Sequence, residues 1–214
     1  MTDDLLESWP HLHLPGPDGV TESAPVLLML HGTGSDEREI SRLAPLLSAE
    51  STVLAPRGRL SENGARRWFR RFAEGVFDVD SVVTEAAALA SFLDAARSEY
   101  DLDGRTIVAV GLSNGANIAL ATAMLHPQSL DRVIAFSGMH PLAGLEATSS
   151  LSGSEFLLLN GSDDPMAPSD SVDALETALR SAGATVDRIV RPGGHGIAQS
   201  ELEAAKGWLE SMSV

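Results

Sequence analysis

Ile107-Val-Ala-Val-Gly-Leu-Ser-Asn-Gly115 decides the fold. A β-branched apolar run drives into Gly111-Leu-Ser-Asn-Gly115, and a small-residue helix, Ala116 to about Leu125, follows at once. This is the pattern of a nucleophile elbow: a strand and a helix joined by a sharp, strained turn with serine at its apex. Gly111 and Gly115 lack a Cβ, so strand and helix can close around that turn. The plainer reading is a strand-to-helix turn whose serine only caps the helix, so the flanking chain has to decide.

Outward from the elbow, strands alternate with helices. Pro25–Leu30 is a continuous apolar run, as expected of a strand buried on both faces. Asp36 and Glu39 then read as a capping box, with Ile40, Leu43 and Leu47 as the inner stripe of one helix. Thr52–Ala55 is the next strand. From Asp80 to Tyr100 the apolar steps mark a helix with one buried face. Arg132–Phe136, Phe156–Asn160 and Thr185–Val190 read as strands, and Asp170–Ala182 as a helix stopped by Gly183. Ala198, Leu202, Ala205, Leu209 and Met212 stripe a last helix whose outer face is assigned Glu201, Glu203, Lys206 and Glu210. Leu12–Leu14 is expected to be a short edge strand, ended by the turn cluster Pro15-Gly-Pro-Asp-Gly19. The alternation predicts an α/β fold with a mostly parallel sheet covered by helices on both faces, in a single domain, 1–214.

Ligands of such sheets bind beyond the carboxyl ends of the strands. Four of those ends carry glycine or polar residues: His31-Gly-Thr, Ser113, Gly161-Ser-Asp-Asp and Gly193-Gly-His. A serine hydroxyl is a poor nucleophile at neutral pH and needs a base, which in turn needs an orienting carboxylate. His195, in the glycine-rich loop after the last strand, is the best base. The other five histidines have blander contexts: His11 and His13 lie in the N-terminal segment, His31 beneath a turn, His126 at a helix end and His140 before a proline. The carboxylate is Asp163 or Asp164, and spacing does not choose between them, although Pro165 holds Asp164 extended. Oxyanion donors are expected at the backbone N–H groups of Asn114, next after the nucleophile, and of Thr33 in the loop after the earlier strand. His31-Gly-Thr-Gly34 completes neither a dinucleotide nor a Walker pattern, which argues against nucleotide binding.

Composition narrows the partners. Thirty acidic against fifteen basic residues give a net charge of −15, with a single lysine, Lys206. Such a field repels phosphate backbones, so no nucleic acid partner is expected. There is no cysteine, which excludes a thiol nucleophile and thiolate metal sites and fits a reducing, cytoplasmic compartment. The acidic N-terminus lacks the features of a secretory signal, and no apolar run approaches a membrane span.

The assembled motifs resemble the α/β-hydrolase superfamily, and within it the phospholipase/carboxylesterase family of small bacterial carboxylesterases and acyl-protein thioesterases. The matching stretches are Leu30-His-Gly-Thr-Gly-Ser-Asp-Glu37, Ala55-Pro-Arg57, Gly111-Leu-Ser-Asn-Gly115, Asn160-Gly-Ser-Asp-Asp-Pro-Met-Ala-Pro168 and Gly194-His195. The resemblance implies a minimal cap and assigns the catalytic aspartate, the residue before Pro-x-x-Pro, to Asp164. It supports backbone oxyanion donors at Thr33 and Asn114 and allows a homodimer. Gly64-Ala-Arg-Arg-Trp-Phe-Arg-Arg71 departs from the thioesterase pattern and looks more like the small bacterial esterases.

The wider stretch from Arg57 to Phe72 is irregular and crowds Arg57, Arg59, Arg66, Arg67, Arg70 and Arg71 around Trp68, Phe69 and Phe72. One expectation is a partial cap in which Trp68 and Phe69, together with Met166, line the substrate pocket while the arginines read an anionic substrate. The other is a solvated loop whose arginines pair with Asp and Glu. The reading as a whole is a metal-free, cofactor-free serine esterase of small carboxylic esters with short or medium acyl chains. Its rivals are an acyl thioesterase or lysophospholipase-like hydrolase, and a non-catalytic binder of small molecules built on the same fold.

Overall fold

Strand β8 (Ile107–Leu112) runs through the middle of a seven-stranded sheet in the order β1-β3-β2-β8-β9-β10-β11. The computed structural model describes residues 3–17, 24–142, 145 and 150–212. The other sheet strands are β1 (His11–Leu14), β2 (Val26–Leu30), β3 (Thr52–Pro56), β9 (Arg132–Phe136), β10 (Glu155–Gly161) and β11 (Thr185–Arg191). All neighbours are parallel except β1, which pairs antiparallel with β3 at the edge. Within the predicted turn cluster, Asp18 and Gly19 lie outside the described residues.

Every residue of β2 is fully buried, which is why its sequence is an unbroken apolar run. Alternate side chains serve opposite faces. Leu28 and Leu30 join the layer containing α4 (Val79–Glu99), α5 (Asn114–Leu125) and α6 (Ser169–Ser181). Leu27 and Met29 join the layer containing α2 (Glu37–Ser41), α3 (Ala44–Leu47) and α7 (Gln199–Met212). No helix of the described residues is long and apolar enough to cross a membrane.

Three local departures from the sequence reading have physical causes. The single helix expected after Asp36 is two short ones, because Pro45 lacks the N–H that would continue the ladder and its ring crowds the preceding turn. The Asp36 cap itself forms, its Oδ1 accepting from Arg38 and Glu39 N–H at 3.0 Å each. The N-terminal segment contributes a short helix, α1 (Asp3–Ser8). The Arg-rich stretch is not irregular: it folds into two small hairpins, β4 (Leu60–Glu62) with β5 (Ala65–Arg67), and β6 (Arg71–Ala73) with β7 (Val76–Phe77). Asn63-Gly64, with φ of +52° and +82°, makes the first turn, and Asn-Gly is the strongest short hairpin signal a sequence carries. Arg67, Glu74 and Phe77 from these hairpins line the cleft that holds Ser113.

Candidate active site

Ser113 sits between β8 and α5 with φ +53° and ψ −114°, a conformation few non-glycine residues adopt. The elbow closes only because its flanking residues have no side chain. A Cβ on Gly115 would lie 2.0 Å from the Leu30 carbonyl oxygen, and one on Gly111 2.5 Å from the Ala116 nitrogen. The serine N–H is tied to the Phe136 carbonyl at 2.9 Å.

The loops that carry Asp164 and His195 meet at the far side. A Cβ on Gly161 would lie 2.2 Å from the Gly193 carbonyl oxygen, so glycine there lets the two loops touch. Asp164 is buried, and its Oδ2 lies 2.8 Å from His195 Nδ1. Its Oδ1 accepts from the N–H groups of Met166 at 2.9 Å and Ala167 at 3.2 Å, which fixes the carboxylate's orientation. Asp163 takes another part: its Oδ2 accepts from Ser162 Oγ at 3.0 Å and Gly193 N–H at 3.3 Å, bracing the loop. An acidic partner on Nδ1 keeps the proton there and leaves Nε2 as the basic atom.

Ser137, at the end of β9 and with φ +49°, links the two halves. It lines the same cleft as Ser113, and its Oγ lies 3.1 Å from both the N–H and the carbonyl of Gly196, next to His195. Among the described residues no hydrogen bond engages Ser113 Oγ or His195 Nε2, and apo sites often hold that pair loosely. The backbone N–H groups of Thr33 and Asn114 also lack a partner among the described residues. The cleft, about 300 Å³ of empty space open to solvent, is lined by Thr33, Arg67, Ser113, Asn114, Ser137 and Met166 among others.

Trp68 and Phe69 do not line it. Both are essentially fully buried in the core, 1% and 0% exposed, so the expectation of an aromatic substrate wall is corrected. The Trp68 indole N–H donates to the His31 carbonyl at 2.9 Å, and its backbone N–H donates to Asn114 Oδ1 at 2.8 Å. Phe69 packs edge-on against Phe77, ring centres 5.0 Å apart, and it is Phe77 that reaches the cleft. Met166 does reach the cleft and is partly exposed.

Glu201 is likewise not on the outer face of α7. It is fully buried, because Arg191 covers it, with Nε donating to Glu201 Oε2 at 2.7 Å. The same guanidinium donates from Nη2 to the carbonyls of Gly194 and Gly196 at 3.0 Å each, and from Nη1 to that of Pro192 at 3.2 Å. This clamp on the histidine loop was missed in the sequence. An arginine ending a strand and a glutamate in the first turn of the next helix was the available signal.

His31 is held within the structure rather than in the cleft. His31 Nε2 accepts from Gly58 N–H at 2.9 Å while Nδ1 lies 2.8 Å from the Gly32 carbonyl, so the ring is neutral with its proton on Nδ1. Burial pushes its pKa below the usual histidine value. Among the described residues no group of three His, Asp or Glu side chains could hold a metal ion.

A family model described as Phospholipase/Carboxylesterase matches residues 18–213. The chain belongs to that family. MhqD of Bacillus subtilis (strain 168), described as a hydrolase, is 33% identical over 189 residues, 88% of this chain and 94% of that one. The crystal structure of the Bacillus cereus carboxylesterase superposes with a TM-score of 0.89 at 35% identity, covering 98% of both chains. YahD, solved with malic acid, gives a TM-score of 0.86 at 29% identity over 95% of this chain and 98% of its own. The fold is therefore that of the α/β-hydrolase carboxylesterases, and this family member is a hydrolase of the esterase kind.

Proposed function

We propose that the chain is a serine carboxylesterase acting on small carboxylic esters through Ser113, His195 and Asp164. One observation carries the reading. Asp164 holds His195 Nδ1 at 2.8 Å while four groups the chemistry needs stay unpartnered among the described residues: Ser113 Oγ, His195 Nε2 and the N–H groups of Thr33 and Asn114.

Ser113 Oγ attacks the acyl carbon as His195 Nε2 takes its proton. The carbonyl oxygen becomes an oxyanion and accepts from the Thr33 and Asn114 N–H groups, the second at the positive end of α5. Collapse expels the alcohol, which receives the proton from His195, and leaves an acyl-serine. Water repeats the sequence and releases the acid. Asp164 keeps the imidazole in the right tautomer and stabilises its cation.

The cleft beside Ser113 is shallow and encloses little space, which favours short or medium acyl chains. The malic acid of the YahD structure is a small polar acid, and transferred to this chain it favours the same size class. Hydrolysis of p-nitrophenyl acetate and butyrate, with Ser113→Ala as control, tests the reading together with fluorophosphonate labelling of Ser113. Turnover and labelling that vanish together in the variant support it. A wild-type protein that binds esters without turnover would instead be the non-catalytic binder.

A further inference from the structure

Five of the six arginines in the capping segment are accounted for by their surroundings. Arg57 pairs with Glu37, and Arg59 with Glu85 at 3.0 Å while lying over the Trp9 ring. Arg70 faces Asp78 at 3.8 Å, and Arg71 holds both Glu62 and Glu74. Arg66 is exposed and lines a separate hollow beside Trp9 and Arg59.

Arg67 is different. It is 3% exposed and lines the cleft that contains Ser113. Its Nε donates to the Phe69 carbonyl and its Nη1 to Thr33 Oγ1, both at 3.2 Å. The guanidinium therefore touches the residue whose N–H is the proposed oxyanion donor. Its nearest carboxylate, Glu62, stands 3.5 Å away and is held more closely, at 3.1 Å, by Arg71. Nη2 takes no partner among the described residues, yet is not one of the nitrogens sealed from solvent without one. A guanidinium stays ionised, and burying it with one shared carboxylate as its counter-charge is costly unless something else meets its remaining N–H groups. The other charge in the cleft, Glu74, is 55% exposed at its side chain and tied to Arg71, so water screens it.

We propose that this hydrolase prefers esters that themselves carry a carboxylate, and that Arg67 receives that carboxylate through its unpartnered Nη2. The inference rests on the esterase reading and names the substrate class of that site. Arg67 Nη1 is bonded to the Thr33 side chain, and both residues line the cleft. The charged end of the substrate must therefore lie close to the scissile carbonyl, as in half-esters of short dicarboxylic acids. A neutral ester of the same length leaves Nη2 to water.

The experiment compares kcat/KM by pH-stat for monomethyl succinate and monomethyl glutarate with that for methyl butyrate and methyl valerate. It is run on wild type, Arg67→Lys and Arg67→Met. Wild type should favour the half-esters. The half-ester to neutral-ester ratio should drop about ten-fold or more in Arg67→Met, the size of one charged hydrogen bond. Arg67→Lys should fall between, keeping the charge and losing the fork. A wild-type ratio that favours the neutral esters, or variants that slow both classes equally, overturns the inference and leaves Arg67 as a brace for Thr33. Should Arg67→Met fail to fold, the wild-type ratio and Arg67→Lys decide. Wild type that neither hydrolyses methyl butyrate nor labels at Ser113 overturns the esterase reading and this inference with it. Labelling and turnover with an unmoved ratio overturn this inference alone.

Discussion

The backbone N–H of Trp68 donates to Oδ1 of Asn114 across 2.8 Å. One residue thus ties the first hairpin of the cap to the residue after Ser113, while its indole N–H reaches His31 in the other loop of the site. The Gly34 N–H, donating to the Arg66 carbonyl at 2.9 Å, adds a third tie. The spacing of the two proposed oxyanion donors is set from this hairpin. Trp68→Phe keeps most of the buried ring and leaves the His31 carbonyl unpaired. Urea unfolding should show a loss of about 1–3 kcal/mol, and kcat should fall with the acyl-length preference unchanged. A shifted chain-length preference at full stability would return Trp68 to the pocket wall.

The two adjacent aspartates should separate sharply. Asp164→Asn removes the acceptor that fixes the His195 tautomer and should lower kcat by roughly 10⁴, as in related triads. Asp163→Asn loses only a loop brace and should stay within about ten-fold of wild type. Steady-state kinetics on p-nitrophenyl butyrate measures both. The opposite order would move the acid to Asp163.

Arg191 and Glu201 should behave as a coupled pair. Arg191→Met strands a fully buried carboxylate, which costs about 3–5 kcal/mol, and releases the carbonyls on both sides of His195. The double variant Arg191→Met/Glu201→Met should regain much of the stability but not the turnover, since the loop remains unclamped. Denaturation midpoints and kcat for the three proteins check this. Recovery of full turnover in the double variant would show that the clamp does not position His195.

Acid should weaken the fold before its carboxylates titrate. Burial lowers the pKa of His31, and likewise of His13 and His140, below 6.5. The unfolded chain then binds protons first, so the stability these rings contribute is complete above about pH 6.5 and is lost as pH falls toward their folded values. A protonated His31 would also cease to accept from Gly58. Unfolding free energy should decline from pH 7.5 to 5.5, and the His31 ring signals in NMR should titrate with a midpoint below 6.5. A midpoint above 6.5 would contradict the burial argument.

The sheet, its strand ends and the elbow were legible because each leaves a local trace: apolar runs, glycines at contact points, and caps such as Asp36. Asp164 was not separable from Asp163 by spacing. What distinguishes them is the pair of N–H groups from Met166 and Ala167 that only the folded turn brings together. Trp68 and Phe69 read as substrate contacts because arginines flank them, whereas the short link between the two hairpins turns both rings inward. Glu201 fitted the polar side of a helical stripe, and only the return of Arg191 across the sheet edge makes it a core residue. The broken helix at Pro45 was a purely local signal passed over.

The imidazole hangs from the outermost strand of the sheet, whereas the serine hangs from the middle one. On β11, Ile189 and Val190 face solvent, and among the described residues only β10 pairs with the strand. Margins of sheets fray first. A mild denaturant should therefore silence the enzyme while its central strands still resist amide exchange. A ligand or neighbour that stiffens this rim would raise the concentration at which activity is lost and leave the global midpoint where it was.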